Sequence, residues 1–177
     1  GEPVKFEGDE YRVDMQVAVE DFRPVPVILA ALGEKMLEIA GRESDGTILW
    51  MTGFRAIEEH VVPKLRAAAE AAGRPEPRTI AGMHVALTNE PDIANAQMEK
   101  MLEQYRMMPS YKANIDREGS MTPADFALIG DEKALDALLD RLRDIGVTDL
   151  DANILETEEG GRKRTLDYLQ SRLDGRG

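Results

Sequence analysis

The sequence has no cysteine, only two histidines and a single tryptophan among its 177 residues. The missing cysteine excludes a disulfide framework and a thiolate metal centre. A chain of this length needs neither, because one domain of its size buries roughly 70% of the surface that its unfolded form exposes. His60 and His84 stand in no His-Glu-x-x-His pattern and no Asp-rich calcium loop is present, so no metal is expected. Basic side chains are also scarce: 22 Lys and Arg stand against 34 Asp and Glu, a net charge of −12. The summed field repels nucleic acid and anionic membrane surfaces, which removes both as partners. No run approaches the about 20 apolar residues of a membrane span, and residues 1–10 carry neither the basic head nor the apolar stretch of a secretory leader. The composition thus fits a soluble protein of the reducing cytoplasm.

The informative residues are concentrated in 24–53. Residues 27–32 form an apolar run with no polar alternation, the mark of a strand covered on both faces. Gly33 then permits a sharp turn into a short amphipathic helix. An Asp45-Gly46 turn leads into a second buried strand ending at Trp50, completing a βαβ unit with almost no spare residues. The turn at Gly33 leaves helix-start N–H groups at the carboxyl end of a strand, where parallel α/β proteins bind anions.

The same alternation continues downstream. Helical spacing over 56–72 is closed by Gly73 and two prolines, and a strand is predicted over 78–87, followed by a helix over 92–107. Residues 108–127 form the least regular stretch, a partly helical excursion. Asp131 is a good N-cap for the next helix, residues 147–155 form a fourth strand, and a helix over 162–173 closes the chain. Residues 1–23 suit a hairpin or an insertion loop, leaving 24–173 and the short remaining tail to the main unit. Strand-helix alternation requires a parallel sheet. The polar lead, in place of an opening strand and glycine-rich fingerprint, favours a barrel over a doubly wound sheet. A TIM barrel uses eight strands over about 250 residues, so four units make half a ring, with two unpaired outer strands and an inner face lacking its opposite wall. Such an arc needs a missing half, a second copy of itself, or the excursion at 108–127 folded across the gap.

Residues 1–11, 26–41, 44–49, 71–74 and 145–150 resemble the C-terminal half of the luciferase-like monooxygenase family, with 26–49 the most specific block. The resemblance is strongest to the branch using the deazaflavin coenzyme F-420, with FMN as the alternative. It implies a TIM-barrel oxidoreductase that passes hydride between coenzyme and a small organic substrate. It further implies coenzyme contacts at Ala31, Leu32, Gly33, Glu34 and Lys35, where the phosphate meets backbone N–H groups, and at Trp50, Met51 and Thr52. Two features depart from the family. Glu34 replaces the usual proline and sets a carboxylate where a phosphate is expected, and the first four strands of the barrel have no counterpart in these residues. The chain is therefore expected to be incomplete as an enzyme. The alternative is an oligomerising half barrel that holds no cofactor.

Each candidate also has a plainer reading. The Gly33 turn can be an ordinary βα connection, Lys35 a solvated helix residue, and Trp50 part of a core. His84 falls in the middle of its strand and reads as a hydrogen-bonded core or interface residue, and His60 reads as surface. Alternation sets Leu150, Ala152 and Ile154 on one face of the last strand and Asp151 and Asn153 on the other, where they line a polar lumen or guard an edge. No residue is assigned a catalytic role.

Overall fold

In the computed structural model, which describes residues 2–17, 21, 23–119 and 122–173, every strand outside the N-terminal hairpin lies parallel to its neighbour. The hairpin pairs β1 (Val4–Glu7) with β2 (Arg12–Met15) in antiparallel register. The main sheet begins with β3 (Ile28–Ala30), shorter than the apolar run 27–32 suggests, and continues through α1 (Glu34–Glu43) into β4 (Gly46–Trp50). Next come α2 (Phe54–Ala56), a π turn (Ile57–Val61), α3 (Val62–Ala71) and β5 (Arg78–Leu87). The single helix predicted over 56–72 is thus interrupted. Pro63 is the second residue after the π turn, and its missing N–H is accommodated at the second position of α3.

β5 organises the sheet. Its ten residues pair with β4 over 78–82, with β6 (Ala127–Gly130) over 84–87, and with β7 (Asp149–Ile154) over 80–85. The overlaps place β4 and β6 in succession along one side of β5, with β7 along the other. β3 pairs with β4 alone and β7 with β5 alone. Among the described residues, both outer strands therefore keep one unpaired edge, as expected of an arc.

The helices α1, α3, α6 (Glu132–Asp144) and α7 (Gly161–Leu173) cover one face of the sheet. Leu49, Ala81, Met83, Val85 and Leu87 are buried there against Leu37, Leu65, Leu135, Leu142 and Tyr168. The N-cap role of Asp131 is realised: its Oδ1 accepts from the Ala134 N–H at 2.8 Å. A second core is built by α4 (Pro91–Arg106), α5 (Pro109–Glu118), β6 and the residue before it, with Met98, Leu102, Ile115, Phe126 and Ala127 packed around Met51. β6 was not anticipated, because four residues carry too little periodicity to reveal a partner some forty residues earlier.

Asp45 ties the amino ends of three strands. Its carboxylate accepts from the Val27 N–H at 2.7 Å, its N–H donates to the Val27 carbonyl at 2.8 Å, and its carbonyl accepts from the Arg78 N–H at 2.9 Å. Gly46 then has φ 153°, and a Cβ at this position would lie 2.1 Å from the Arg78 carbonyl oxygen. Gly46→Ala is expected to destabilise the fold by about 3 kcal/mol or more, through backbone collision and strain together. Gly33→Ala, with nothing within 4 Å of the added carbon, is the control and is expected to be near neutral in denaturant titration.

Candidate functional site

At the carboxyl end of β3 the chain turns through Ala31, Leu32 and Gly33 into α1. Ala31 is buried in the helix-side core, Leu32 is half-buried, and Gly33, Glu34 and Lys35 are exposed. Gly33 is the N-cap of α1, extended at φ −86° and ψ 159°, and provides no side-chain cap. The first-turn N–H groups of a ten-residue helix are thus left facing outward, with the positive end of its dipole behind them.

Three cationic or titratable side chains from other elements border this turn. Lys64 of α3 donates to Glu34 Oε1 at 2.7 Å, and this hydrogen bond together with its charge holds the Glu34 carboxyl below its ordinary range. His60, expected at the surface, is instead buried with only 7% exposed, because the π turn brings it inward with Ile57 and Val61. Its Nε2 has no hydrogen-bond partner. Burial, then the charges of Arg117 on α5 and Lys64, push its pKa down, opposed by a hydrogen bond with the Leu32 backbone and by Glu34.

The second cluster lies on the opposite face of the sheet, whose carboxyl end is covered by α4. Opposed residues in a ladder share a face, so Trp50 and Gly82, His84 and Asn153, and Gly82 and Asp151 form one surface. Trp50 leans over Gly82, where a Cβ would stand 2.9 Å from Trp50 Cε3. The Trp50 and His84 rings lie 5.0 Å apart and tilted, and the indole N–H donates to Tyr105 Oη at 2.7 Å. The position of His84 in the middle of β5 is misleading. β4 stops opposite Gly82, so His84 stands two residues beyond the end of that neighbour, although β5 itself runs on to Leu87 beside β6. It is 4% exposed and its Nδ1 has no hydrogen-bond partner, where the sequence suggested a satisfied core residue. Asp151 and Asn153 are exposed on this face, while Leu150 and Ala152 pack on the core side as alternation required.

Met51 and Thr52 part from Trp50. Both are buried beneath α5, with Met51 at φ 47°. Asn114 Nδ2 donates to Thr52 Oγ1 at 3.4 Å. Glu118, a residue the sequence did not single out, accepts from the Ala56 N–H at 2.7 Å and the Arg55 N–H at 3.2 Å. It supplies the cap that Gly53 lacks, and burial raises its pKa. A glycine opening a helix was the only available signal for such a remote cap.

Burial lowers the pKa of His84 from its usual 6.5, so the imidazole is neutral at pH 7 and protonates only under more acidic conditions. In the unfolded chain the group takes a proton near pH 6.5, so its contribution to stability is present above that pH and is lost as pH falls towards the folded value. Because an imidazolium quenches an adjacent indole, Trp50 fluorescence is expected to drop on acidification with a midpoint below 6.5. His84→Asn is expected to abolish that transition, and a midpoint above 6.5 contradicts the burial argument.

Residues 1–149 match the family model described as luciferase-like monooxygenase. Over 143 residues the chain is 30% identical to an F420-dependent glucose-6-phosphate dehydrogenase of Kineococcus radiotolerans, a match covering 79% of this chain and 41% of that protein. Among solved structures, an F420-dependent secondary alcohol dehydrogenase aligns with TM-score 0.69 at 14% identity, over 94% of this chain and 56% of that one. The oxygenating constituent of 3,6-diketocamphane monooxygenase from Pseudomonas putida, in complex with FMN, aligns with TM-score 0.63 at 13% identity, over 95% and 56%. The chain spans less than half the length of the curated relatives it matches. An arc of parallel strands backed by helices is what half of such a barrel looks like, and with the family match over most of its length this chain belongs to the luciferase-like monooxygenase family.

Proposed function

We propose that this chain is the C-terminal half of an F420-dependent oxidoreductase barrel, in which the Gly33 turn seats the coenzyme phosphate and the open face of the sheet lies beside the ring. The observation that carries the reading is the uncapped N-terminus of α1 at the carboxyl end of β3, with open space at Gly33 and the unpartnered Nε2 of His60 buried close by. An anion there meets outward N–H groups and a helix dipole, and Lys64 and Arg117 add positive charge. These residues fit a phosphate. Lys35, on the exposed side of the first turn, is placed to follow the coenzyme tail. Ala31 and Leu32 anchor the turn from the core, and Trp50 presents its ring on the face where the coenzyme would lie. Met51 and Thr52, buried under α5, contribute by fixing the backbone of that loop.

When bound, the deazaflavin accepts or returns a hydride. The work of the chain is to orient the coenzyme and to wall off one side of the reaction. F420 is preferred to FMN because curated and structural relatives alike carry that coenzyme in their names. The two free edges call for four further βα units, which we assign to the other half of a longer polypeptide, since relatives are about twice as long. Residues 1–23, which include the β1–β2 hairpin, are then an insertion carried by this half, and the setting is the cytoplasm.

Coenzyme fluorescence titration tests the reading. Gly33→Asp places a carboxylate in open space, caps the amides itself and repels phosphate, so coenzyme affinity is expected to fall at least about tenfold with the fold intact. No binding by the wild-type chain, with or without its other half, overturns the proposal. Glu34 keeps a competing negative charge at the same helix end. Glu34→Gln is therefore expected to raise affinity by about two- to fivefold, the size of one charge–dipole interaction.

A further inference from the structure

We infer that Glu118, the last residue of α5, is a positioning residue for the anion seat at Gly33: it caps α2 from a distance and so holds His60 against the turn. The inference rests on the preceding reading of that turn as the coenzyme seat and concerns what keeps the seat in place.

The cap comes from an unusual direction. Gly53 has the extended conformation of an N-cap, with φ −81° and ψ 169°, and has no side chain to accept a hydrogen bond. The role passes to Glu118, 62 residues beyond Ala56, whose carboxylate accepts from the Ala56 N–H at 2.7 Å and the Arg55 N–H at 3.2 Å. The two arrangements exclude each other, because a Cβ at residue 53 would stand 2.3 Å from Glu118 Cδ and 2.4 Å from its Oε1. A local cap would satisfy the helix equally well, whereas this one makes the start of the helix depend on where α5 lies. One turn earlier on α5, Asn114 repeats the tie through Thr52 Oγ1.

The π turn gives that dependence a consequence. Over 57–61 the helix holds one residue more than α geometry allows, and the Val62 N–H reaches back to the Ile57 carbonyl. Pro63 has no N–H with which to restore the α ladder. The surplus residue can leave only if the start of the helix slides by one position, which turns the side chains ahead of Pro63 by about 100°. Glu118 pins that start, and Phe54 is pinned beside it, with the Arg141 guanidinium carbon 4.6 Å from its ring centroid. In the locked register His60 is buried and bonded to the Leu32 backbone, and Lys64, one turn on, reaches Glu34.

Charge follows the same path. Arg117, the neighbour of Glu118, acts on both His60 and Glu34, and its Nη1 donates to Asn114 Oδ1 at 2.8 Å. Glu118 itself faces Asp125 before β6, which repels it, and Arg141 of α6, which attracts it. An anion at Gly33 therefore meets His60, Lys64 and Arg117 together only while α5 is seated.

An exchange of caps tests the inference. Glu118→Ala removes the remote cap and the collision at residue 53, and adding Gly53→Asp returns a cap from the local position. The chain has two histidines, so comparison with His84→Asn assigns the imidazole signals by NMR. In Glu118→Ala, His60 is expected to titrate closer to its usual 6.5 than in the wild type, as burial and Arg117 hold it down less. F420 affinity is expected to fall at least about fivefold in fluorescence titration. Both readouts are expected to recover in the double variant, whereas Gly53→Asp alone, colliding with Glu118, behaves like Glu118→Ala. Glu118→Gln keeps the volume and one accepting oxygen, and gives the same changes at smaller size should the alanine variant not fold. Urea titration reads stability separately. A His60 titration unmoved by loss of the cap, or a double variant that regains stability without regaining the His60 titration, overturns the inference. Absence of coenzyme binding in the wild type sinks the preceding proposal, whereas binding that is intact there and unchanged in Glu118→Ala sinks this one alone.

Discussion

The length of β5 is the constraint from which the rest of the structure follows. A ten-residue parallel strand beside a five-residue neighbour has backbone groups left over at its carboxyl end, and buried backbone groups must be paired. β6 meets that demand by pairing with residues 84–87 in line with β4. Bringing β6 there requires α4 and α5 to pass over the end of β4, and this is why Met51 and Thr52 are buried and why Glu118 reaches the start of α2. The same mismatch lifts His84 above Trp50. A single difference in strand length therefore builds the second core, the cover over β4 and the polar corner of the open face.

The sheet is covered along the whole of one face and, on the other, only at its carboxyl end. The helices α1, α3, α6 and α7 bury one apolar face in the manner of any α/β layer, whereas the other face presents Ile48, Trp50 and Ile80 beside Asp151 and Asn153, with α4 over its carboxyl end. Two edges unpaired among the described residues and a face of mixed character support the proposed meeting with a second arc, and the relatives are about twice as long. The Arg78–Asp149 pair and the Asp45 bonds close the amino ends of the strands tightly. The carboxyl ends carry the loose features: an uncapped helix, two histidines each with an unpartnered ring nitrogen, and a non-glycine residue at positive φ. Local rules are broken at the end where barrels keep their chemistry.

Much of this was legible in the residues. Long, strongly patterned segments such as 78–87 and the helix capped by Asp131 fell where expected, because local pattern and tertiary burial agree there. The turn at Gly33 was legible as a glycine between an apolar run and an amphipathic helix. Three features were hidden. β6 depends on the unpaired end of a distant strand, so nothing in Ala127-Leu128-Ile129-Gly130 distinguishes it from a loop. His60 sits at the margin of a helical stripe, and only the π turn before Pro63 decides that it faces inward. His84 was placed by counting along its own strand, whereas its height above the site depends on where the neighbouring strand stops.

The central claim is that β3 and β7 are open edges awaiting partners. Amide hydrogen exchange across 28–30 and 149–154, read first on this chain in dilute solution and then with the complementary half of the barrel added, tests it most directly. The account predicts that amides facing away from β4 and β5 exchange rapidly in the chain alone and become protected when the other half is supplied. Full protection of both strands in a dilute monomer would contradict it.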